Sequence, residues 1–224
     1  SADGVEQWTK RFGSNKDDKA TAVSVGADGT IYVAGQTSAP VGGVVNAGKT
    51  DGYLRALDEN GAILYTRAAG ASTENDTAKS IAQAADGGLI VASEVNGSAV
   101  LTKYAAGDDG TGAPVWTLDL GDMDDGRIGE ITVGDDGAIY LAGAAGAGFS
   151  PSAPIEANAG GRDAVLVKIS DGPTASVDFT TFLGSAEGNS ATSVTVSNGV
   201  AYIAGKTSGA LPGQTQNGAR NAFV

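Results

Sequence analysis

Apolar and polar residues alternate in short runs along this chain, and one run returns in the same form four times. It opens as Asp28-Gly29 followed by Ile31-Tyr32-Val33-Ala34-Gly35, then returns as Asp86-Gly87 with Leu89-Ile90-Val91-Ala92-Ser93. It recurs as Asp136-Gly137 with Ile139-Tyr140-Leu141-Ala142-Gly143, and as Asn198-Gly199 with Ala201-Tyr202-Ile203-Ala204-Gly205. The spacings are 58, 50 and 62 residues. A second marker, an aromatic followed by threonine, keeps the same phase at Trp8, Tyr65, Trp116 and Phe179. Glycine follows five residues after each aromatic, at Gly13, Gly70, Gly121 and Gly184. Two markers in phase over four copies define internal repeats.

Each repeat predicts four strands. A short alternating run (22–25, 80–83, 130–133, 193–196) leads into an Asp-Gly or Asn-Gly dipeptide, a hairpin signal because both central residues tolerate positive φ. The Tyr-Val-Ala-Gly run is the second strand. A third begins near Tyr53, Val100, Val165 and Phe223, and the fourth carries the aromatic. No apolar stripe of period 3.6 is long enough for a helix. Four-stranded units at this period predict an all-β β-propeller, either a closed four-bladed ring or part of a seven- or eight-bladed one. The repeats fall at about 19–76, 77–126, 127–190 and 191–224, all in one domain over 1–224. Residues 5–12 are expected as the outer strand of the last or a preceding blade. The aromatics are expected between blades.

The second-to-third-strand region resembles the bacterial SBBP β-propeller repeat. Repeat one has Gly35-Gln36-Thr37-Ser38, Pro40, Asn46-Ala47-Gly48 and Asp51-Gly52-Tyr53-Leu54. Repeat three has Pro154, Asn158-Ala159-Gly160 and Asp163-Ala164-Val165-Leu166, and repeat four has Gly205-Lys206-Thr207-Ser208, Pro212 and Asn221-Ala222-Phe223-Val224. Repeat two departs, with Ser93 in place of the glycine and a loop shortened to Val95-Asn96-Gly97. The resemblance implies a component of large bacterial secreted or surface proteins and brings no catalytic residues.

Composition narrows the chemistry. The 224 residues include 35 Gly, as many glycine-rich turns require, and contain no His and no Cys. That excludes serine–histidine triads, cysteine nucleophiles and zinc sites built from imidazole or thiolate. Fourteen Lys and Arg stand against 26 Asp and Glu, a net charge of −12, which repels phosphate backbones, so no nucleic-acid partner is expected. No apolar run is long enough for membrane insertion.

Two kinds of site remain. Acidic groups recur between repeats, and Asp122, Asp124 and Asp125 are the best candidate for calcium, the sole cofactor considered. The competing reading is that Asp18, Asp76, Asp125 and Asn189 cap turns through backbone N–H groups, and repetition at one structural place favours it. The long loops 36–50, 144–162 and 206–220 should share one rim, with a notch above repeat two. They carry Lys49, Phe149, Arg162, Leu211 and Arg220 as candidate binding residues, although such loops can also serve only to cover blade edges. The expected function is a secreted or cell-surface, extracellular, non-enzymatic module binding a protein or glycan partner. The alternatives are a carboxylate-dependent enzyme acting on polysaccharide and an intracellular scaffold.

Overall fold

The β-branched and aromatic alternation becomes strand throughout. The computed structural model describes residues 3–70 and 72–224, and holds fifteen strands and no helix among them. Sheet 1 is β1 (Asp18–Val25), β2 (Ile31–Thr37), β3 (Asp51–Leu57) and β4 (Ile63–Ala68). Sheet 2 is β5 (Asp76–Gln83), β6 (Leu89–Val95), β7 (Ser98–Tyr104) and β8 (Trp116–Asp122). Sheet 3 is β9 (Arg127–Val133), β10 (Ile139–Ala145), β11 (Asp163–Ser170) and β12 (Ser176–Leu183). Sheet 4 has three strands, β13 (Asn189–Ser197), β14 (Val200–Thr207) and β15 (Asn221–Phe223). Every sheet is an antiparallel meander in chain order.

The turn dipeptides behave in two ways. In sheet 4, Asn198 and Gly199 both take positive φ, 52° and 75°, in the expected two-residue hairpin. In sheets 1 to 3 the connection is five residues long and the Asp keeps negative φ. Gly29 donates its N–H to the Gly26 carbonyl at 3.0 Å, and Asp28 Oδ1 accepts the Thr30 N–H at 3.0 Å. The Asp side chain closes its own turn, so only the glycine must be left-handed.

The four sheets pack face to face in chain order, a propeller-like all-β arrangement. Tyr32, Leu54 and Val91 join sheets 1 and 2; Leu101, Ile139 and Val167 join sheets 2 and 3 in the largest core; Tyr140, Ala164 and Val194 join sheets 3 and 4. No hydrophobic cluster among the described residues joins sheet 4 back to sheet 1, so the sheets do not close a ring.

Residues 5–12 form no strand. They lie on sheet 1, where Trp8 Nε1 donates to the Glu59 carbonyl at 2.8 Å and the Trp8 ring covers Gly61. The same relation recurs one repeat later, with Tyr65 against Gly110, and again where Trp116 Nε1 reaches Asp171 Oδ1 at 3.1 Å. Trp8 thus sits where the outer strand of a sheet preceding sheet 1 would carry its aromatic.

Candidate binding site

The first strand of each sheet lies at the centre of the stack and carries one β-bulge at the same level. The register skips a residue at Thr21 in β1, Lys79 in β5, Gly129 in β9 and Thr192 in β13. A bulge re-aims side chains and bends its strand. It also brings the strand backbone hard against its neighbour. A Cβ at Gly35 would lie 2.1 Å from the Lys19 carbonyl oxygen, one at Gly143 2.4 Å from that of Arg127, and one at Gly205 2.0 Å from that of Ser190. The glycine closing each Tyr-Val-Ala-Gly run is therefore required by this contact. Repeat two accommodates Ser93 at the same place.

All four bulges line one pocket of about 540 Å³ at the long-loop end of the stack. Six cations line it: Lys19 from sheet 1, Lys79 from sheet 2, Arg127 and Arg162 from sheet 3, and Lys206 and Arg220 from sheet 4. These are six of the fourteen Lys and Arg in the chain, and no Asp or Glu lines the pocket. Lys79 pairs with Glu94 at 3.5 Å, and Glu94 is itself held by the Ile128 N–H at 2.8 Å. Arg162 Nη1 donates to the Asp125 carbonyl at 2.7 Å. Among the described residues, Lys19, Arg127, Arg162, Lys206 and Arg220 have no carboxylate within salt-bridge distance. No aromatic ring lines the pocket.

The opposite end has a different character. Asp86, Asp136, Asp171 and Asp178 line a cavity of about 490 Å³ together with Lys103 and Lys168. Lys103 Nζ donates to Asp86 Oδ2 and Asp171 Oδ2, each at 2.7 Å, and Lys168 Nζ to Asp136 Oδ2 at 2.8 Å. Burial pushes the Lys103 ammonium down, but its bonds to Asp171 and Asp86 outweigh this and hold it above its ordinary value. Asp86 is held below the usual carboxylate range first by Lys103 and then by the Gly88 N–H, and Asp136 chiefly by Lys168. A general acid for glycoside hydrolysis needs the opposite shift.

The comparisons with known proteins bear on fold more than on chemistry. No protein-family model matches the chain. The regulatory protein FlaEY of Caulobacter vibrioides is 30% identical over 260 residues, an alignment that covers 100% of this chain and 27% of that protein. The chain thus spans about a quarter of the length of that curated relative. A protein of unknown function from Bacteroides caccae superposes with a TM-score of 0.50 at 13% identity, covering 85% of this chain and 54% of that one. That likeness is one of fold.

Of the residues singled out in the sequence, Arg162 and Arg220 do meet in the basic pocket. Phe149 and Leu211 lie outside the basic pocket, Leu211 on the wall of a separate cavity of about 550 Å³. They are 1% and 9% exposed, because their loops fold inward and cover the sheets with their apolar side chains. Loop 146–162 runs along the edge of β12, with the Ile155 N–H on the Thr180 carbonyl at 2.8 Å. Lys49 lies outside the pocket, paired with Glu74 at 2.6 Å. The notch has its basis in the two-residue turn Asn96-Gly97, with φ of 48° and 85°.

The calcium candidates act locally instead. Asp122 Oδ1 accepts the Asp124 N–H at 2.8 Å, and Asp124 Oδ2 accepts the Gly148 N–H at 3.1 Å. Among the described residues no three carboxylates group as a metal site would require. Capping is seen at Asp18, which accepts the Ser14 N–H at 2.6 Å, and at Asp76, which accepts the N–H groups of Ser72 and Asn96. Asn189 caps in reverse, donating to the Glu187 carbonyl at 2.7 Å. Asp125 makes no such cap, since Gly126 occupies the matching register position opposite the end of β10.

The sequence reading missed Lys19, Lys79, Arg127 and Lys206. Their one legible signal is position. Lys19 and Arg127 hold the same place in their repeats, two residues before the bulge.

Proposed function

We propose that this chain is a non-enzymatic binding module, built as blades of a β-propeller of the SBBP kind and working outside the cell or on its surface. Binding is assigned to the basic pocket at the centre of the long-loop end. The observation that carries this reading is the gathering of six cations, drawn from all four repeats, in a protein of net charge −12. Among the described residues only Lys79 and Arg162 have a structural partner, Glu94 and the Asp125 carbonyl. At the other end, where carboxylates do cluster, Asp86, Asp136 and Asp171 are tied to lysines and Asp178 accepts the Ser170 hydroxyl, an arrangement unlike a poised acid and base. In this reading the propeller continues past sheets 1 and 4, whose outer faces expose Val23 and Val25 on β1 and Tyr202 on β14, and Trp8 marks the strand position of the preceding blade.

The test combines two measurements on the full-length protein. A tagged version expressed in its own cells should be cut by protease added to intact cells. The purified protein should be retained on a glycan array or by envelope material without releasing reducing ends from polysaccharide. Release of reducing ends would replace this reading with the enzymatic one, and protection from protease in intact cells would favour an intracellular scaffold.

A further inference from the structure

We infer that the basic pocket binds a compact, multiply charged oxyanion: a small polycarboxylate or a phosphate compound carrying several negative charges within one molecule of pocket size. The inference rests on the reading of the protein as a binding module and adds the class of its ligand.

Three observations lead there. Cations cluster against their mutual repulsion only when something else fixes them or a counter-charge joins them. Here, among the described residues, five of the six have no carboxylate within salt-bridge distance, and they come from three different sheets. Arginine at Arg127, Arg162 and Arg220 offers planar forks that match carboxylate or phosphate oxygens two at a time. Second, the ligand must be compact. Six of the fourteen cations gather at a pocket of about 540 Å³, and outside it 26 acidic residues outnumber the remaining eight basic ones, so a long polyanion would have to run out over acidic surface. Third, the lining lacks any aromatic ring, which removes the stacking platform used for nucleobases and for sugar faces. What remains is recognition by charge and hydrogen bonds. Besides the cations, the wall supplies Ser190 and Ser208 as hydroxyl donors.

The bulges make the site possible. Each bends the inner strand where it reaches the pocket, and at Thr21, Lys79 and Thr192 the extra residue itself lines the wall. One β-bulge at the same level in the first strand of each sheet is the device that turns four separate strand ends toward a shared centre.

The test is calorimetric titration of the purified chain with citrate, inorganic diphosphate and acetate, at fixed pH and fixed ionic strength set by sodium chloride. Citrate or diphosphate should bind at one site, about a hundredfold tighter than acetate, and more weakly as salt rises. Binding of citrate alone identifies a carboxylate ligand, and binding of diphosphate alone a phosphate ligand. Arg127→Gln and Arg162→Gln should each weaken binding about tenfold. Lys49→Gln, on an exposed lysine outside the pocket, should leave it unchanged. Unaltered thermal melting of the two arginine variants separates lost binding from lost fold. No binding of either multivalent anion, or equal loss in Lys49→Gln, overturns the inference. So does binding only of a long polyglutamate chain. If glycan or envelope retention persists in Arg127→Gln and Arg162→Gln, the module reading stands and this ligand class falls. If the unaltered protein shows neither retention nor anion binding, the module reading falls as well.

Discussion

Tyr140 and Tyr202 occupy the same place in their repeats, yet Tyr140 is 3% exposed and Tyr202 50%. Ile131 and Val23 likewise share a register position, at 3% and 67%. The difference is one of neighbours. Tyr140 and Ile131 face adjoining sheets, whereas Tyr202 and Val23 lie on the outer faces of sheets 4 and 1. A four-stranded sheet of this kind has two apolar faces and needs a neighbour on each. Sequence similarity between repeats therefore does not imply similarity of energetic role, because burial is conferred by the next sheet along the chain.

Substitutions can break this comparison. Tyr140→Ala should cost about 3–5 kcal/mol, the range for emptying a buried aromatic site, while Tyr202→Ala should cost about 1 kcal/mol or less. Urea unfolding midpoints measure both. Equal costs would mean that the outer face of sheet 4 is covered in solution.

The next largest effect is at the junction of sheets 2 and 3. Lys103→Met should cost about 3 kcal/mol, because it leaves Asp171, whose side chain is 10% exposed, without its cation. The Asp86 share is small, since that side chain is 63% exposed. Asp86 is held below its ordinary 3.8, so its share is present above that pH and fades as pH falls through the lowered value. Thermal melts at neutral and acid pH should show the difference narrowing only slightly on that account.

A smaller effect sharpens the contrast between the junction of sheets 3 and 4 and that of sheets 1 and 2. Asn189 Nδ2 donates to Asp163 Oδ1 at 2.9 Å, and both residues are buried. The matching first-strand residue in sheet 2 is Asp76, and the matching third-strand residue in sheet 1 is Asp51, whose buried Oδ1 has no hydrogen-bond partner. Asn189→Asp should therefore cost about 2 kcal/mol at neutral pH. Two facing carboxyls raise the folded-state value of one of them, so the penalty is full above that raised value. It fades as pH falls toward about 4, where protonation restores a donor. A flat pH profile for the variant would show that the two carboxyls do not interact.

The smallest effect belongs to Lys49→Ala. Its pair with Glu74 is 65% and 50% exposed, so the change in stability should stay within about 0.5 kcal/mol.

Much of the fold was legible in the chain, and the reasons are local. The strands follow from alternation, and the turns follow from Asp-Gly and Asn-Gly. Even there, the turns of sheets 1 to 3 proved longer than a two-residue hairpin, because an Asp side chain can replace a backbone bond. The candidate site was only partly legible. Phe149 and Leu211 looked available because they sit in loops, but a loop is free to fold its apolar side chains inward. Arg162 and Arg220 stand out as loop cations, while Lys19, Lys79 and Arg127 are hidden among strand residues with no motif around them, and Lys206 lies in a Gly-Lys-Thr-Ser run that signals fold and not binding.

By itself the sequence determined that this protein is a fourfold array of antiparallel sheets, because period-2 alternation and turn chemistry act over a few residues. It also determined an overall charge of −12, a sum that is blind to position. Tertiary structure alone decided that six cations far apart in the chain share one pocket, and that chemically equivalent tyrosines are buried or exposed. Both depend on which sheet stands beside which, and on bulges that bend four inner strands toward a common centre.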